Sequence, residues 1–252
     1  MGQVTGIIIQ ARMGSSRLPG KVLKDIGLEP MLWHVYERAS RASLADETIV
    51  ATSTVPEDDD VVAFCERRDI PCHRGSEPDV LDRFYQTATA EDLDTVVRLT
   101  ADCPFNSPTV IDQVIQAYRK HDAEYVSNIL EYTYPDGYDT EVFGYDLLEW
   151  AWEETDDPRE REHVTLQFRE SPDISTRNVE NVVDTSRYDW FDEDVIYRWC
   201  VDYPEDLEFV RAVYDRLTEH GHWLFDQHAI LELLTREPEL REINEDHDTH
   251  DN

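Results

Sequence analysis

The feature that most constrains the fold of this chain is a regular alternation of short apolar runs with amphipathic stretches. In the stretches, apolar residues such as Met31, Leu32 and Val35 recur at helical spacing, which predicts helices with one buried face. Strands that alternate with helices are joined by right-handed crossovers. The sequence therefore predicts an α/β fold with a mostly parallel sheet and helices on both faces. The predicted strands lie at about residues 4–10, 48–52, 70–73, 95–99 and 123–128, and the predicted helices at about 29–39, 56–68, 79–90 and 108–118.

Residues 130–185 interrupt this alternation, and we expect this insertion to cover a site or to contact a second subunit. The Pro-Asp-Gly turn signal at 135–137 lies between Tyr- and Thr-rich flanks, which predicts a β-hairpin over 131–143. We expect a single domain over residues 1–236 and a polar tail over 237–252. The remaining predicted elements are helices at 144–155 and 159–170, strands near 174–183 and at 196–201, and helices at 204–220 and 226–235.

The charge of the chain excludes several classes of partner. Its formal net charge is −33, and only three of its 23 basic residues are lysines. An acidic surface that is poor in lysine suits solubility in high salt, so we interpret the chain as a halophilic protein. An acidic protein with a specific cationic partner is the alternative. Binding to nucleic acids or to anionic membranes needs a basic surface, which the sequence lacks.

Cysteine usage and hydropathy bear on the cellular compartment. Cys65, Cys72, Cys103 and Cys200 have neither CxxC spacing nor histidines at zinc spacing, so we expect free thiols in a reducing compartment. Nothing in the sequence resembles a signal peptide, and no apolar run reaches the roughly 20 residues of a membrane span. We therefore expect a cytoplasmic protein.

A loop of small residues and cations follows the first apolar run. Residues 10–21 contain glycine, serine and proline together with Arg12, Arg17 and Lys21. Exposed N–H groups and cations at the end of a strand are what a polyphosphate requires, and an ordinary connection with solvated charges is the alternative. The spacing of the glycines and the valine after Lys21 differ from a P-loop, and the G-x-G-x-x-G pattern of dinucleotide sites is missing.

Two aspartates, Asp102 and Asp202, stand at the ends of predicted strands, and Ser76 lies in the loop after another. The carboxyl ends of parallel strands share one edge of a sheet, where ligands of such folds bind, so these residues are candidates to meet the cationic loop. Carboxylates suit Mg²⁺, which one or two of them usually bind together with substrate phosphates. A helix N-cap is the alternative for either aspartate alone. Cys103 follows Asp102, but no histidine that would activate it as a nucleophile is evident.

Five distinctive segments carry a resemblance to a known family. They are Q-A-R-M-G-S-S-R-L-P-G-K at 10–21, R-L-T-A-D-C-P at 98–104, G-Y-D-T-E-V-F at 137–143, R-E-H-V-T at 161–165 and V-D-Y-P-E-D-L-E at 201–208. In this order they resemble the SpsF branch of the cytidylyltransferases, which is related to the acylneuraminate and ketodeoxyoctonate cytidylyltransferases. The resemblance covers roughly residues 4–215. It implies a Rossmann-like nucleotide-diphospho-sugar transferase fold, CTP as substrate and Mg²⁺ as cofactor.

The resemblance also implies a role for each candidate residue. The implied nucleotide-binding residues are Ala11, Arg12, Met13, Gly14, Ser15, Ser16, Arg17, Lys21, Ser76, Asp79 and Arg83. The implied catalytic residues are Arg12, Lys21, Asp102 and Asp202, of which the two aspartates would hold Mg²⁺. The implied sugar-binding residues are Asp139, Glu141, Arg161 and His163. We expect Arg161 to meet the carboxylate of an acidic sugar. Surface charges, a surface ion pair and a packed imidazole are the structural alternatives for these four.

These residues would support in-line attack of a sugar hydroxyl on the α-phosphorus of CTP, with pyrophosphate as the leaving group. The resemblance favours an acylneuraminate-like nonulosonate as the sugar, surface polysaccharide or glycan synthesis as the pathway, and a homodimer as the assembly. A nucleotide-sugar-dependent glycosyltransferase is one alternative, although Asp102 lacks the second acid of an Asp-x-Asp site. A non-catalytic nucleotide-binding subunit is the other, although Arg12, Lys21, Asp102 and Asp202 are all retained.

Overall fold

A computed structural model describes residues 2–218 and 223–245. The strands are β1 Thr5–Gln10, β2 Asp25–Ile26, β3 Glu29–Pro30, β4 Glu47–Ser53, β5 Cys72–Gly75, β6 Thr95–Thr100, β7 Tyr125–Ser127, β8 Glu141–Gly144 and β9 Thr176–Asn178. The helices are α1 Met31–Ala39, α2 Asp59–Arg67, α3 Val80–Ala90, α4 Pro108–Lys120, α5 Tyr145–Glu154, α6 Pro158–His163, α7 Leu166–Glu170, α8 Pro204–Thr218 and α9 Gln227–Arg236. Short 3₁₀ turns lie at Lys21–Leu23, Pro56–Asp58 and Pro238–Glu242.

Seven of the strands form one sheet in the order β5-β4-β1-β6-β8-β7-β9. All of them run in the same direction except β8, which is antiparallel to both β6 and β7. Strand β1 lies between β4 and β6, with Ile8 opposite Ile49 on one side and Arg98 on the other. The prediction of a mostly parallel α/β sheet is confirmed.

Two hydrophobic cores lie on opposite faces of this sheet. Side chains alternate across a strand, so Ile7 and Ile9 enter one core while Ile8 enters the other. Helices α1, α2, α4, α8 and α9 supply the first core, and α3, α5 and α7 supply the second. Because both faces are covered, β1 carries a continuous apolar run, and its three isoleucines are completely buried.

The insertion at 130–185 differs in detail from the prediction. Strands β7 and β8 pair as the two arms of a hairpin, but an irregular loop over 128–140 joins them instead of a tight turn. The helix predicted over 159–170 is divided into α6 and α7, because Val164 adopts a φ of +54° and a ψ of −60°. Only β9 forms within the strand predicted near 174–183.

The strand predicted at 196–201 is wrong. These residues are apolar because they are buried, as Trp199 and Val201 are, but they form only one isolated bridge, between Arg198 and Asp136. The segment crosses under the loop at 134–138 instead of joining the sheet. The Asp136 N–H donates to the Tyr197 carbonyl at 2.9 Å, and the Trp199 N–H donates to the Asp136 carbonyl at 2.7 Å.

The C-terminal region packs against this crossing. Leu240 is buried, and the Asn244 side-chain amide donates to the Arg198 carbonyl and to Asp206, at 2.9 Å in each case. The expected polar tail over 237–252 is therefore in contact with the core at its beginning, while its residues 246–252 lie outside the described residues. The last two residues of the helix predicted at 204–220 also lie outside them.

The expectations about membrane spans and cysteines can be compared with the described residues. Within the two described ranges, no helix has the length and apolar character needed to cross a membrane. All four cysteines carry free thiols, and three of them are buried.

Candidate active site

Most of the predicted site residues lie at the carboxyl-terminal edge of the parallel strands. The cationic loop follows β1, Ser76 follows β5, and Asp102 lies two residues after β6. Because β8 runs in the opposite direction, its first residue, Glu141, reaches the same edge. This is the edge at which ligands of open α/β sheets bind.

The loop after β1 is held open by a buried acid that the sequence did not single out. Asp58 accepts a hydrogen bond from the Met13 N–H at 2.7 Å and another from the Ser53 N–H at 3.2 Å. It is only 1% exposed. In the described part of the chain, nothing accepts a hydrogen bond from the N–H groups of Gly14 and Ser16, which are exposed. Such backbone donors suit an anionic ligand.

Lys21 brings the two predicted aspartates together. Its Nζ donates to Asp102 Oδ2 at 2.7 Å, to Asp202 Oδ1 at 2.8 Å and to the Val201 carbonyl at 2.8 Å. Burial lowers the pKa of Lys21, but the charges of Asp102 and Asp202 outweigh burial and raise it overall. Burial likewise raises the pKa of Asp102, and Lys21 outweighs it and lowers that pKa overall. Lys21 therefore stays charged, and it lies beside the ionised carboxylate of Asp102.

Asp202 is held from a second side by Arg198. The Arg198 Nη1 donates to Asp202 Oδ2 at 3.1 Å. The guanidinium of Arg17 lies 4.9 Å from the centre of the Tyr203 ring, and that of Arg198 lies 5.8 Å from it. Asp206 accepts from the backbone N–H groups of Asp202 and Tyr203, at 2.9 Å each, and so caps α8. The side chain of Asp202 contacts cations and is therefore not the helix cap.

Sequence reasoning also missed Asp136, which it interpreted only as a turn residue. Asp136 is 8% exposed, and its Oδ2 accepts from the Cys200 thiol at 3.1 Å. Burial, together with the charges of Asp102 and Asp202, raises the pKa of Asp136 to about 6. Burial and the neighbouring Asp136 also raise the pKa of Asp139 well above its usual value. Asp136 and Asp139 thus add two buried acids near Asp102.

The residues predicted to form the rest of the nucleotide pocket lie beside the cationic loop. A Cβ atom at Gly14 would lie 3.8 Å from Glu77 Oε1, so the loops after β1 and β5 meet. Arg83 is buried, and its Nη1 donates to the Ser76 carbonyl at 2.8 Å. Burial and the nearby charge of Arg12 lower the pKa of Arg83 to about 10. Asp79 accepts from the Asp82 N–H at 2.9 Å as the N-cap of α3.

Two predicted sugar-binding residues are instead engaged in internal ion pairs. Glu141 is 2% exposed, pairs with Arg98 and accepts from the Tyr125 hydroxyl at 2.6 Å. Arg161 pairs with Asp79 at 2.7 Å. Each side chain already has partners inside the protein, and its role in sugar binding stays a prediction. Of the other two predicted residues, Asp139 lies near the acids described above, and His163 is exposed at the end of α6.

The donor set at Asp102 and Asp202 fits a divalent cation of the magnesium type. Among the described residues, no group of three or more His, Cys, Asp or Glu side chains is arranged to hold a metal ion. Two carboxylates that converge on one positive charge match an ion that takes one or two protein carboxylates and completes its shell with water and substrate phosphates. These two residues would hold such an ion.

Comparisons with known proteins point in one direction. Residues 6–232 match the family model described as "Cytidylyltransferase". The chain is 33% identical over 239 residues to the spore coat polysaccharide biosynthesis protein SpsF of Bacillus subtilis, which covers 92% of this chain and 94% of that protein. It is 33% identical over 165 residues to the 8-amino-3,8-dideoxy-manno-octulosonate cytidylyltransferase of Shewanella amazonensis, covering 64% of this chain and 59% of that one.

A solved structure extends the similarity to the whole fold. A cytidylyltransferase from Leptospira borgpetersenii serovar Hardjo-bovis superposes with a TM-score of 0.86 at 27% sequence identity. The superposition covers 99% of this chain and 100% of that one. The overall fold described above therefore matches that of a solved cytidylyltransferase.

Proposed function

Since this chain belongs to the cytidylyltransferase family, and is thus a CTP-dependent nucleotidyltransferase, we propose that it transfers the cytidylyl group of CTP to an acidic sugar. The products are a CMP-sugar and pyrophosphate. The family expected from the five sequence segments is confirmed, whereas the sugar belongs to the proposal. The observation that carries the proposal is the meeting of Lys21, Asp102 and Asp202 beside the open loop after β1.

Two relatives support an acidic sugar of a surface glycan. The Shewanella protein is named for a carboxylated octulosonate, and the Bacillus protein for the synthesis of a polysaccharide. We infer an acceptor of the same class, a keto-deoxy sugar acid such as an octulosonate or an acylneuraminate-like nonulosonate. The pathway that consumes the CMP-sugar would then build a surface polysaccharide or another glycan.

The residues of the site have a consistent division of labour in this reaction. The N–H groups of the loop after β1 and the guanidinium of Arg12 bind the triphosphate, and Lys21 adds positive charge at its inner end. A sugar hydroxyl forms a bond to the α-phosphorus, the bond to the β-phosphate oxygen breaks, and the hydroxyl proton is released. Asp102 and Asp202 would hold Mg²⁺, which would supply Lewis-acid stabilisation of the phosphoryl charge. Positioning and charge therefore account for the chemistry.

The experiment that tests this function is a pyrophosphate-release assay with Mg²⁺. The candidate sugars are 3-deoxy-manno-octulosonate, its 8-amino-3,8-dideoxy analogue and N-acetylneuraminate, and CTP is compared with UTP. We expect release that needs both CTP and one of these acids. Asp102→Asn and Asp202→Asn should each lower kcat on the order of 10²- to 10³-fold, as loss of a transition-state group does elsewhere.

The control for these variants is Asp122→Asn, which removes the same charge from an exposed position just after α4. It should leave kcat unchanged. The proposed function would be ruled out if no carboxylated sugar gave pyrophosphate release, or if both aspartate variants were fully active.

A further inference from the structure

An acidic sugar needs a cation, and the expected one, Arg161, is engaged elsewhere through its Nε and Nη1 atoms. The Arg161 Nε donates to Asp79 at 2.7 Å, and its Nη1 donates to the carbonyls of Thr155 at 2.7 Å and Trp152 at 3.2 Å. These bonds tie α6 to the end of α5 and to the start of α3. A guanidinium with this many internal partners cannot also offer a two-pronged contact to a ligand carboxylate.

Most other arginines of the insertion and the crossing segment have partners inside the protein, which leaves few candidates to bind the sugar carboxylate. Arg159 pairs with Glu170 at 3.7 Å, Arg187 with Glu232 at 3.3 Å, and Arg198 with Asp202 at 3.1 Å. Arg169 and Arg177 are both exposed, and neither forms an ion pair within the described residues. One of these two is therefore the candidate for an external anion.

The packing of α7 places this helix beside β8, whose first residue lies at the site edge. The ring of Phe168 lies 5.2 Å from that of Phe143 and 5.9 Å from that of Tyr125, measured between centroids. The Tyr125 hydroxyl in turn donates to Glu141, at the site edge of β8. This packing fixes the short helix over the paired strands β7 and β8, with Arg169 directly after the buried ring.

The electrostatic neighbours of Arg169 agree with this position. Burial and the charges of Asp139 and Asp136 raise the pKa of the Tyr132 hydroxyl, and the charge of Arg169 acts in the opposite direction. Arg169 also acts on Glu141, which lies in the same part of the site. Tyr132 is 38% exposed, so this part of the site reaches the surface of the protein.

We propose that Arg169 receives the carboxylate of the acidic sugar and thereby selects acids over neutral sugars. This inference rests on the proposed function and adds to it the residue that reads the charge of the acceptor. The guanidinium is planar, always charged and able to donate two parallel hydrogen bonds to a carboxylate. Without this cation, the negative charge of the site around Asp102 would disfavour an anionic acceptor.

The test removes the charge of the sugar and the charge of residue 169, singly and together, and compares the four combinations. The probes are 3-deoxy-manno-octulosonate and its methyl ester, each assayed for pyrophosphate release with the wild type and with Arg169→Gln. For the wild type, we expect the ester to have a KM about 10- to 100-fold above that of the acid, because the ester loses a charge-assisted pair of hydrogen bonds. With Arg169→Gln, the KM of the acid should rise to that of the ester, while the KM of CTP stays the same.

Two further variants make the result specific. Arg177→Gln removes the same charge from the neighbouring exposed arginine and should preserve the preference for the acid. Arg169→Lys keeps the charge but loses the fork, so it should restore part of the preference. A merely structural role of Arg169 would change kcat or the KM of CTP instead of the acid-to-ester ratio.

The outcomes separate this inference from the function on which it rests. An unchanged acid-to-ester ratio in Arg169→Gln overturns the inference alone, since the wild type still activates acidic sugars. A ratio that collapses in Arg177→Gln instead also overturns it. Lack of pyrophosphate release by the wild type with every carboxylated sugar overturns the proposed function, and is recognised without any variant.

Discussion

Single charged side chains at this site hold one another in place. The meeting of Asp102 and Asp202 could be anticipated because both follow apolar segments, although only Asp102 follows a true strand. Asp202 reaches the site because the preceding residue, Val201, donates its N–H to the Asp102 carbonyl at 2.9 Å. Asp58 and Asp136 could not be anticipated, since an acidic helix start and a turn are common surroundings for aspartate. The metal-binding and catalytic roles of these residues remain predictions.

The raised pKa of Asp136 predicts how stability depends on pH. Its folded pKa of about 6 lies above the ordinary value, so the folded protein binds this proton more tightly than the unfolded chain does. The carboxyl therefore supports folding below about pH 4 and opposes it once pH has risen through about 6. Asp136→Asn removes this titration while keeping an oxygen that accepts from Cys200. We expect the substitution to raise the free energy of unfolding, relative to the wild type, by about 1–3 kcal/mol more at pH 7.5 than at pH 4.5.

Urea unfolding at the two pH values measures this difference. Asp122→Asn, at an exposed position, should show nearly the same change in free energy of unfolding at both pH values. If Asp136→Asn also shows no difference between them, the folded carboxyl titrates normally and the burial argument is incorrect.

At the scale of strands and helices, the apolar pattern predicted the bounds of an element correctly wherever that element lies in or against the middle of the sheet. Strands β1, β4 and β6 and helices α1 and α3 have nearly their predicted bounds, because burial on both faces leaves continuous apolar runs and burial on one face leaves helical spacing. The pattern failed at 196–201 because it reports burial, not pairing. It also failed at Val164, where no glycine or proline marks the change from α6 to α7.

The crossing of 134–138 over 198–200 predicts a strong effect of one substitution. Gly137 has a φ of +119°, and a Cβ atom there would lie 2.7 Å from the backbone carbonyl carbon of Trp199. Gly137→Ala should therefore push apart the two segments that carry Asp136 and Arg198. We expect a loss of about 2–4 kcal/mol in the free energy of unfolding, from backbone strain and overpacking together.

Gly27→Ala is the matched control for this substitution, measured in the same urea titrations. Gly27 also has a positive φ, +63°, but a Cβ atom there would meet nothing within 4 Å. It should cost about 1 kcal/mol, from conformation alone. Equal losses in the two variants would show that the contact with Trp199 contributes nothing.

At the scale of the whole molecule, charge is the dominant property. A net charge of −33 on 252 residues creates mutual repulsion that salt screens, and it was legible directly from composition. The alternation of elements predicted the mostly parallel sheet. It did not predict that β8 lies antiparallel beside β6, because a strand of four residues carries no pattern that shows its direction. The expected homodimer remains a prediction, for size-exclusion chromatography to test.

We predict that salt stabilises this protein strongly. The screening length falls from about 10 Å at 0.1 M to about 3 Å at 1 M, so repulsion between surface carboxylates should fade over that range. The Tm should rise steadily as KCl is increased from 0.1 to 3 M, as measured by thermal unfolding. Sucrose at matched osmolality is the control, because it is excluded from protein surfaces without screening charge. An equal rise in sucrose and in KCl would argue against adaptation to salt.

The ammonium of Lys21 is, in effect, a counter-ion that the protein carries with it. A divalent ion held by both aspartates would have to take the place of this amine, so loading would exchange one cation for another and would not fill a void. The displaced amine would then be available to the phosphates proposed to bind at the loop after β1. Binding of metal and binding of nucleotide would thereby be linked.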